Sequence, residues 1–303
     1  MSNLFEKNMK NTAWILVLFS GICWGSLGLF TKNITILGFS EMEMLFVKMT
    51  IATILLIPIL LLKDKKLLYL HNITDIRYFI GTGICSYAFF NWCYMKAILE
   101  TSLGVAAVLL YTAPAIVMVS SSFLFREKLT KIKCIVVAMT FLGCVFVTGV
   151  LGTEDATYTV KGILFGICSG IGYALYSIFG MFAIKKNYHS FTITFYTFVF
   201  AAAFTCFLIN PTQLLQKIVE KNALFDMVLF SVVTALVPYI CYTKGLSHMQ
   251  ASQASVIATI EPVVATIIGI LIFQEGISLQ KMIGMALVLG GVIIPVISQK
   301  SKV

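Results

Sequence analysis

The stretch FREKLTKIK at residues 125–133 is matched by FQEGISLQK at residues 273–281, a shift of 148 residues. Three further matches share this shift: CYMKAI at 93–98 with CYTKGL at 241–246, Pro114 with Pro262, and Gly143 with Gly291. One short match can arise by chance, but four at one shift without a gap indicate an internal duplication. We therefore predict two repeat units, residues 1–152 and 153–303.

The composition is that of a membrane protein. Of the 303 residues, 59% are hydrophobic and 12% are charged, whereas soluble domains carry about 25% charged residues. Apolar runs of about 20 residues, long enough to cross a bilayer, recur along the chain. They predict an all-α polytopic membrane protein with ten transmembrane helices, at roughly 13–32, 43–62, 76–97, 103–124, 131–150, 160–182, 191–210, 224–244, 253–273 and 281–298.

Five spans in each unit make the second repeat inverted relative to the first, because an odd number of crossings reverses the chain. Inverted repeats are typical of secondary transporters, whose binding site lies near the midplane between the halves. With the N-terminus inside, fifteen lysines and arginines fall on the inner side and six on the outer side. This distribution predicts both termini in the cytoplasm and the loop GTEDATYT, residues 152–159, outside the cell membrane.

Three motifs resemble the drug/metabolite transporter superfamily, specifically its ten-helix EamA type. They are WG at 24–25, FREKLT at 125–130 and IEPVVATIIGILIFQE at 260–275. The resemblance implies two inverted five-helix bundles that move small metabolites such as amino acids or quaternary amines. The chain departs from the pattern in two places. Ala113 stands where the second repeat has Glu261, and Lys48 stands where many relatives have an arginine.

Glu261 and Lys48 are the charges deepest in predicted spans. A charge at that depth costs a few kcal/mol or more and should face a cavity or a partner. Pro262 removes the helical donor for the carbonyl of Ala258, so the surroundings of Glu261 suit an ammonium group or a proton. Two alternatives stay open: Glu261 pairs with Lys48 and locks helices together, or Lys48 snorkels to the surface.

Aromatic and amide side chains recur in the same spans, and rings can hold a cation over a π face. Trp24 and Tyr173 are repeat mates, as are Asn91 and Tyr239. For each ring, plain packing is the alternative. The candidate substrate-binding residues are Glu261, Lys48, Trp24, Asn91, Tyr94, Tyr111, Tyr173, Tyr176, Tyr239 and Tyr242.

Glu127 and Glu275 follow the fourth and ninth spans at matching places in the repeats. We expect them to cap helices or to pair with nearby lysines at the membrane interface.

The function indicated is a secondary transporter that moves an amino acid or related compound, in the export direction, by alternating access. The alternatives are an uptake carrier for a cationic or zwitterionic metabolite and a passive channel. An enzyme is not expected, because the three histidines lie in or beside loops and no aspartate pair lies inside a predicted span. No ATP-binding motif is present, so a gradient would supply the energy for transport. We expect no cofactor, no metal and no nucleic acid. The expected partners are a small-molecule substrate and the lipid bilayer, with protons as the candidate coupling ion, in a monomer or homodimer.

Overall fold

The computed structural model describes the backbone of residues 2–150 and 159–300 and the side chains of residues 12–150 and 159–297. Within these residues the regular structure is helical, without a strand. The helices of the first repeat are α1 (Ser2–Gly25), α2 (Leu27–Ile36), α3 (Glu41–Lys63), α4 (Ile76–Ile80), a π-helical segment (Gly81–Ala88), α5 (Phe89–Glu100), α6 (Leu103–Leu110), α7 (Ala113–Leu124) and α8 (Lys131–Val147). Two short 3₁₀ turns, Lys65–Leu68 and Ile73–Asp75, connect α3 to α4.

The second repeat runs through a similar series of helices. They are α9 (Val160–Lys185), α10 (Ser190–Cys206), α11 (Pro211–Glu220), α12 (Leu224–Ser231), a π-helical segment (Val232–Leu236), α13 (Val237–Leu246), α14 (Ala251–Ala258), α15 (Glu261–Phe273) and α16 (Leu279–Lys300). The series differs in that its first helix is continuous and that an extra helix, α11, stands where the first repeat has 3₁₀ turns. The predicted boundary between the repeats, at residues 152 and 153, and most of the loop at 152–159 lie outside the described residues.

All ten predicted spans lie on helices, and the chain is a polytopic membrane protein. Seven helices of the described part are long and apolar enough to cross a bilayer, or eight if the bent pair α10 and α11 counts as one span. The predicted spans 76–97 and 131–150 are not among them. The first carries polar residues such as Asn91, and the second ends early because α8 stops at Val147.

The predicted span 191–210 is too long at its end. The helix α10 stops at Cys206, and α11 continues after a bend of 100°. Pro211 begins α11 because its ring fits the first turn of a helix but not the interior. Leu214 on α11 is buried against a cluster that includes Ile34 and Phe39. The structure therefore adds an amphipathic helix where the sequence analysis placed only a connection.

Glycines bring the two repeats into close contact. A Cβ atom on Gly21 of α1 would lie 2.9 Å from the carbonyl oxygen of Ala258. A Cβ atom on Gly170 of α9 would lie 2.8 Å from the carbonyl oxygen of Leu109. Each repeat thus presses its first helix onto the interrupted helix of the other, as small residues allow between membrane helices.

A polar cluster joins the repeats outside the spans. The Tyr188 hydroxyl, between α9 and α10, donates to Oδ2 of the buried Asp75 at 3.0 Å. It accepts from the backbone N–H of His71 at 2.9 Å. Burial raises the pKa of Tyr188, so the phenol stays protonated and can donate. The cluster fixes the start of α4 against the end of α9.

Candidate functional site

The fourth and ninth spans are both interrupted near their middle, where the site lies. The first breaks between α6 and α7, and the second between α14 and α15. At the second break the N–H of Thr259 donates to Val256 and that of Ile260 to Ile257, which is the tighter 3₁₀ pattern. Each break is followed by a proline at the start of the next helix, Pro114 or Pro262. Irregular backbone at such depth is tolerated where protein or a cavity covers it.

The break in the ninth span places Glu261 against Gly25 of α1 and Tyr173 of α9. Glu261 is the first residue of α15, and a Cβ atom on Gly25 would lie 2.6 Å from its carbonyl oxygen. The side chain of Glu261 is partly buried. Its Oε2 lies 3.4 Å from the hydroxyl of Tyr173, which donates to it. The carboxylate is thus held at the edge of a group of rings.

Five of the predicted aromatic residues converge. The Trp24 ring lies 6.4 Å from Tyr173, 5.3 Å from Tyr239 and 5.4 Å from Tyr242. Tyr176 joins them at 5.0 Å from Tyr239. These five rings form what we call the aromatic shell.

The aromatic shell encloses a cavity of about 20 Å³ between helices of both repeats. Its lining residues are Trp24, Ser86, Phe90, Tyr173, Tyr176, Ser177, Tyr239 and Tyr242. This space admits about one water molecule, while ligand pockets measure roughly 300–1,000 Å³. A ligand of ordinary size would fit here only if the rings moved apart.

Two hydroxyls of the shell are already engaged. Those of Tyr176 and Tyr242 lie 2.7 Å from the hydroxyls of Thr243 and Ser177, respectively. These two tyrosines are held in place and present ring faces and edges rather than free polar tips.

Lys48 is buried against two other rings, Tyr87 and Phe230. It is 7% exposed, and its Nζ lies 5.5 Å from the ring centroid of Tyr87 and 5.2 Å from that of Phe230. Among the described residues it forms no ion pair within 4.0 Å. An ion pair between Lys48 and Glu261 is therefore absent. The ammonium is buried over two rings instead of reaching the surface.

Five predicted residues do not line the cavity: Glu261 and Lys48, whose surroundings are given above, and Asn91, Tyr94 and Tyr111. The side-chain amide of Asn91 donates to the carbonyl oxygen of Tyr87 at 2.7 Å, within its own helix. Tyr111 stands at the break before α7, partly buried against the main core. Tyr94 is partly buried and lies in the electrostatic field of Glu261.

Tyr87 and Phe90 also lie among these rings, although neither was predicted. Tyr87 is 2% exposed, and its hydroxyl has no hydrogen-bond partner among the described residues. Its ring lies 5.5 Å from Tyr239 and 5.9 Å from Phe90. Helical periodicity offered a signal, because positions 87, 90, 91 and 94 share one face of a helix.

The π-helical segments lie next to these rings. Gly81–Ala88 holds Tyr87, and Val232–Leu236 ends three residues before Tyr239. Such segments are rare and often occur at functional sites. Each repeat has one such segment, in its third span, so this irregularity is shared by the two repeats.

A metal-binding cluster is not found in the described part of the chain, where no three His, Cys, Asp or Glu side chains come together. The site instead offers one carboxylate, one ammonium and a set of rings. That combination can bind a small organic molecule through charge and cation–π contacts.

The comparisons with known proteins agree with this architecture. The model of the EamA-like transporter family matches the chain twice, over residues 11–149 and 160–297. An uncharacterized transporter of Archaeoglobus fulgidus is 30% identical over 66% of this chain and 70% of its own length. The uncharacterized transporter YxxF of Bacillus subtilis is 23% identical over 98% of this chain and 93% of its own.

One solved crystal structure has the same fold. It superposes with a TM-score of 0.78 and covers 96% of this chain and 98% of its own. At 15% identity the likeness concerns the fold alone. The family and the names of the relatives indicate a membrane transporter.

Proposed function

This chain belongs to the EamA-like transporter family, and on that premise we propose that it is a secondary carrier for a small zwitterionic metabolite of the amino-acid class. The ammonium of the cargo would face Glu261, and its carboxylate would face Lys48. The aromatic shell would cover the remainder. Export is the proposed direction, as the family resemblance implies.

The carrying observation is that two charges lie deep in the protein without a counterion. Glu261 and Lys48 form no ion pair within 4.0 Å among the described residues. Each charge costs several kcal/mol to bury alone. A zwitterion would supply both counterions at once, and neither a cation nor an anion could do so.

The rings support the same class of cargo. Two cation–π contacts, with Tyr87 and Phe230, stabilise the Lys48 ammonium by about 0.5–2 kcal/mol while the site is empty. The Tyr87 hydroxyl, which has no hydrogen-bond partner among the described residues, belongs to one of these rings and would offer a donor to the cargo carboxylate. Trp24 and Tyr173 offer ring faces to the cargo ammonium near Glu261.

The closed cavity supports a carrier over a passive channel. A space of about one water molecule does not admit a metabolite, so we propose that the two bundles rearrange in each cycle. Glu261 also supplies a protonatable group, and we propose proton coupling through it. The end of the bundle that carries Glu127 is proposed to face the cytoplasm of the cell, because lysine and arginine are more frequent there.

The test is exchange in proteoliposomes loaded with amino acids, nucleosides or quaternary amines. A carrier saturates and shows counterflow, which a channel does not. For an accepted amino acid, the decarboxylated amine and the deaminated acid should both compete more weakly than the parent. Equal competition by the amine and the parent would contradict the zwitterion proposal.

Two variants test which charged group of the cargo faces Lys48 and which faces Glu261. In Lys48→Met the decarboxylated amine should compete as well as the amino acid, and in Glu261→Gln the deaminated acid should. Lys32→Met is the matched control, because Lys32 also lies over a ring, Phe273, but is exposed. If the double variant Glu261→Gln with Lys48→Met recovers the transport that Glu261→Gln loses, the two charges only neutralise each other and do not bind cargo.

Direction and coupling have their own readouts. Cells with the wild-type chain should release labelled cargo faster than cells with Glu261→Gln. Wild-type exchange should respond to an imposed pH gradient, and this response should vanish in the variant. A wild-type transport rate that does not change with the pH gradient would contradict proton coupling and indicate a uniporter.

A further inference from the structure

A closed polar network joins the repeats at one end of the bundle. Oε1 of Glu127 accepts from the backbone N–H of Ala251 at 2.9 Å, in the first turn of α14. Oε2 accepts from the hydroxyl of Ser252. Nζ of Lys133 lies 3.3 Å from this oxygen and 2.9 Å from Oγ of Ser252. We call these four residues the Glu127 clasp.

The clasp holds two helices that belong to different repeats. Glu127 follows α7 and its side chain is 7% exposed, so water competes little for the carboxylate. The first N–H groups of a helix lack partners within the helix and attract negative charge. Charge-assisted hydrogen bonds of this kind are about twice as strong as neutral ones. The clasp therefore fastens α14 to the end of α7, and these helices pack against each other.

The equivalent network in the other half of the molecule, between Glu275 and the start of α6, is not formed. Lys281 pairs with Glu275 at 3.0 Å, in the same spacing as Lys133 and Glu127. The Glu275 side chain, however, is 52% exposed. Under the shift of 148 residues, Ala251 corresponds to Leu103, the first residue of α6. Glu275 would therefore cap α6 if it were engaged as Glu127 is. The N-terminal turn of α6 is capped by its own Ser102 instead, which accepts from Val105 at 3.2 Å.

The helix packing differs between the ends in the same way. α7 and α14 pack at the Glu127 end, whereas their mates α15 and α6 make no extensive contact within the described residues. One sequence motif is thus engaged at one end and disengaged at the other. In a transporter with inverted repeats, the two ends of the pathway open and close in turn. The engaged and the disengaged motif would then exchange their arrangements during the cycle.

We propose that the Glu127 clasp is the latch that keeps the cargo pathway closed at its end, and that Glu275 caps α6 when the opposite end closes. This inference rests on the proposed carrier function. The two latches alternate, so that breaking one accompanies the making of the other. Glu127, Ser252 and Lys133 are positioning residues and do not touch the cargo.

The structure also provides space for this movement. A cavity of about 320 Å³ borders the clasp between α7, α8, α14 and α16, and Lys133 and Ser252 form part of its wall. Close-packed interiors resist sliding, and an open space beside α14 removes that resistance.

The latches are not equally strong. Ser252 corresponds to Gly104 under the repeat shift, so the Glu275 latch lacks a hydroxyl to bind. The stronger latch favours the state seen here, closed at the Glu127 end. Weakening Glu127 should therefore move the population toward the state that is open at that end.

The test measures cysteine alkylation in detergent, where no cargo and no membrane sidedness enter. Two reporters are placed one at a time in a background without the native cysteines: Ala254→Cys on α14 and its repeat mate Ala106→Cys on α6. Both alanines are 0% exposed. Glu127→Gln should raise the alkylation rate at position 254 about tenfold, which corresponds to about 1.4 kcal/mol, without raising it at position 106. Ser252→Ala should act in the same direction, and the matched control Glu275→Gln should not raise the rate at 254.

Two outcomes would contradict the proposal that the Glu127 clasp is a latch. Unchanged rates at 254 in both Glu127→Gln and Ser252→Ala would mean that the network is static. Equal rises at 254 and 106 would mean general loosening of the fold. Because alkylation is read without cargo, a failed zwitterion screen with a positive alkylation result would refute the proposed substrate and leave the latch standing.

Discussion

The contact between Gly25 and the ninth span allows a sharp test of how the site is positioned. An alanine Cβ at position 25 would lie 2.6 Å from the carbonyl oxygen of Glu261 and 2.6 Å from Cβ of Val264. Ordinary contact begins at 3.4 Å, so the helices α1 and α15 would have to separate by about 0.8 Å. Neither neighbouring atom is the end of a flexible side chain, so a rotamer change cannot relieve the clash.

Two effects of Gly25→Ala have opposite signs. Overpacking costs about 1–3 kcal/mol, while replacing a helical glycine by alanine stabilises by up to about 1 kcal/mol. The clash should win, and separation should displace Trp24 from Tyr239 and Glu261. We expect at least a fivefold rise in half-saturation, since about 1 kcal/mol corresponds to fivefold in affinity.

Gly28→Ala is the matched control. Gly28 lies in the neighbouring helix α2, and a Cβ atom there would meet nothing within 4 Å. This variant should keep wild-type half-saturation and unfold at the same temperature or higher. Proteoliposome exchange and thermal unfolding of the purified protein provide the two readouts. If Gly25→Ala behaves like Gly28→Ala in both, the close approach does not position the site and the reasoning fails.

Three further predictions concern the shell, the polar cluster and the topology. Trp24→Ala and Tyr173→Ala should each raise half-saturation without loss of expression, whereas Trp92→Ala, an exposed ring against Phe165, should not; unchanged transport in all three would make the rings packing only. Tyr188→Phe should lower the free energy of unfolding by about 1–3 kcal/mol, because buried Asp75 loses its donor, and an unaltered melting temperature would contradict this. A cysteine at Thr153, which lies outside the described residues, should react with an impermeant thiol reagent in intact cells and one at Lys131 should not; the reverse pattern would refute the predicted sidedness.

Much of the architecture could be predicted from the sequence, because it depends on patterns that are local or repeated. Apolar runs of bilayer length mark the helices, and the shift of 148 residues marks the duplication. Glu261, Trp24 and Tyr173 could be singled out as candidates because a charge in an apolar run is exceptional and because Trp24 and Tyr173 are repeat mates. The ends of α8 and α10 were placed too late, since helix ends depend on contacts that hydropathy does not encode.

The sequence by itself determined which residues carry charge at depth and that two equivalent halves exist. Only the tertiary structure decided how those groups are joined: Lys48 lies over Tyr87 and Phe230 and not against Glu261, and the Tyr87 hydroxyl is left without a partner. The same holds for Glu127 and Glu275, whose motifs are equivalent although one is docked on a helix and the other is exposed. The physical reason is that a local motif specifies what a side chain can bind. Which partner lies within reach is set by the packing of helices from both repeats, and that packing differs at the two ends of the bundle.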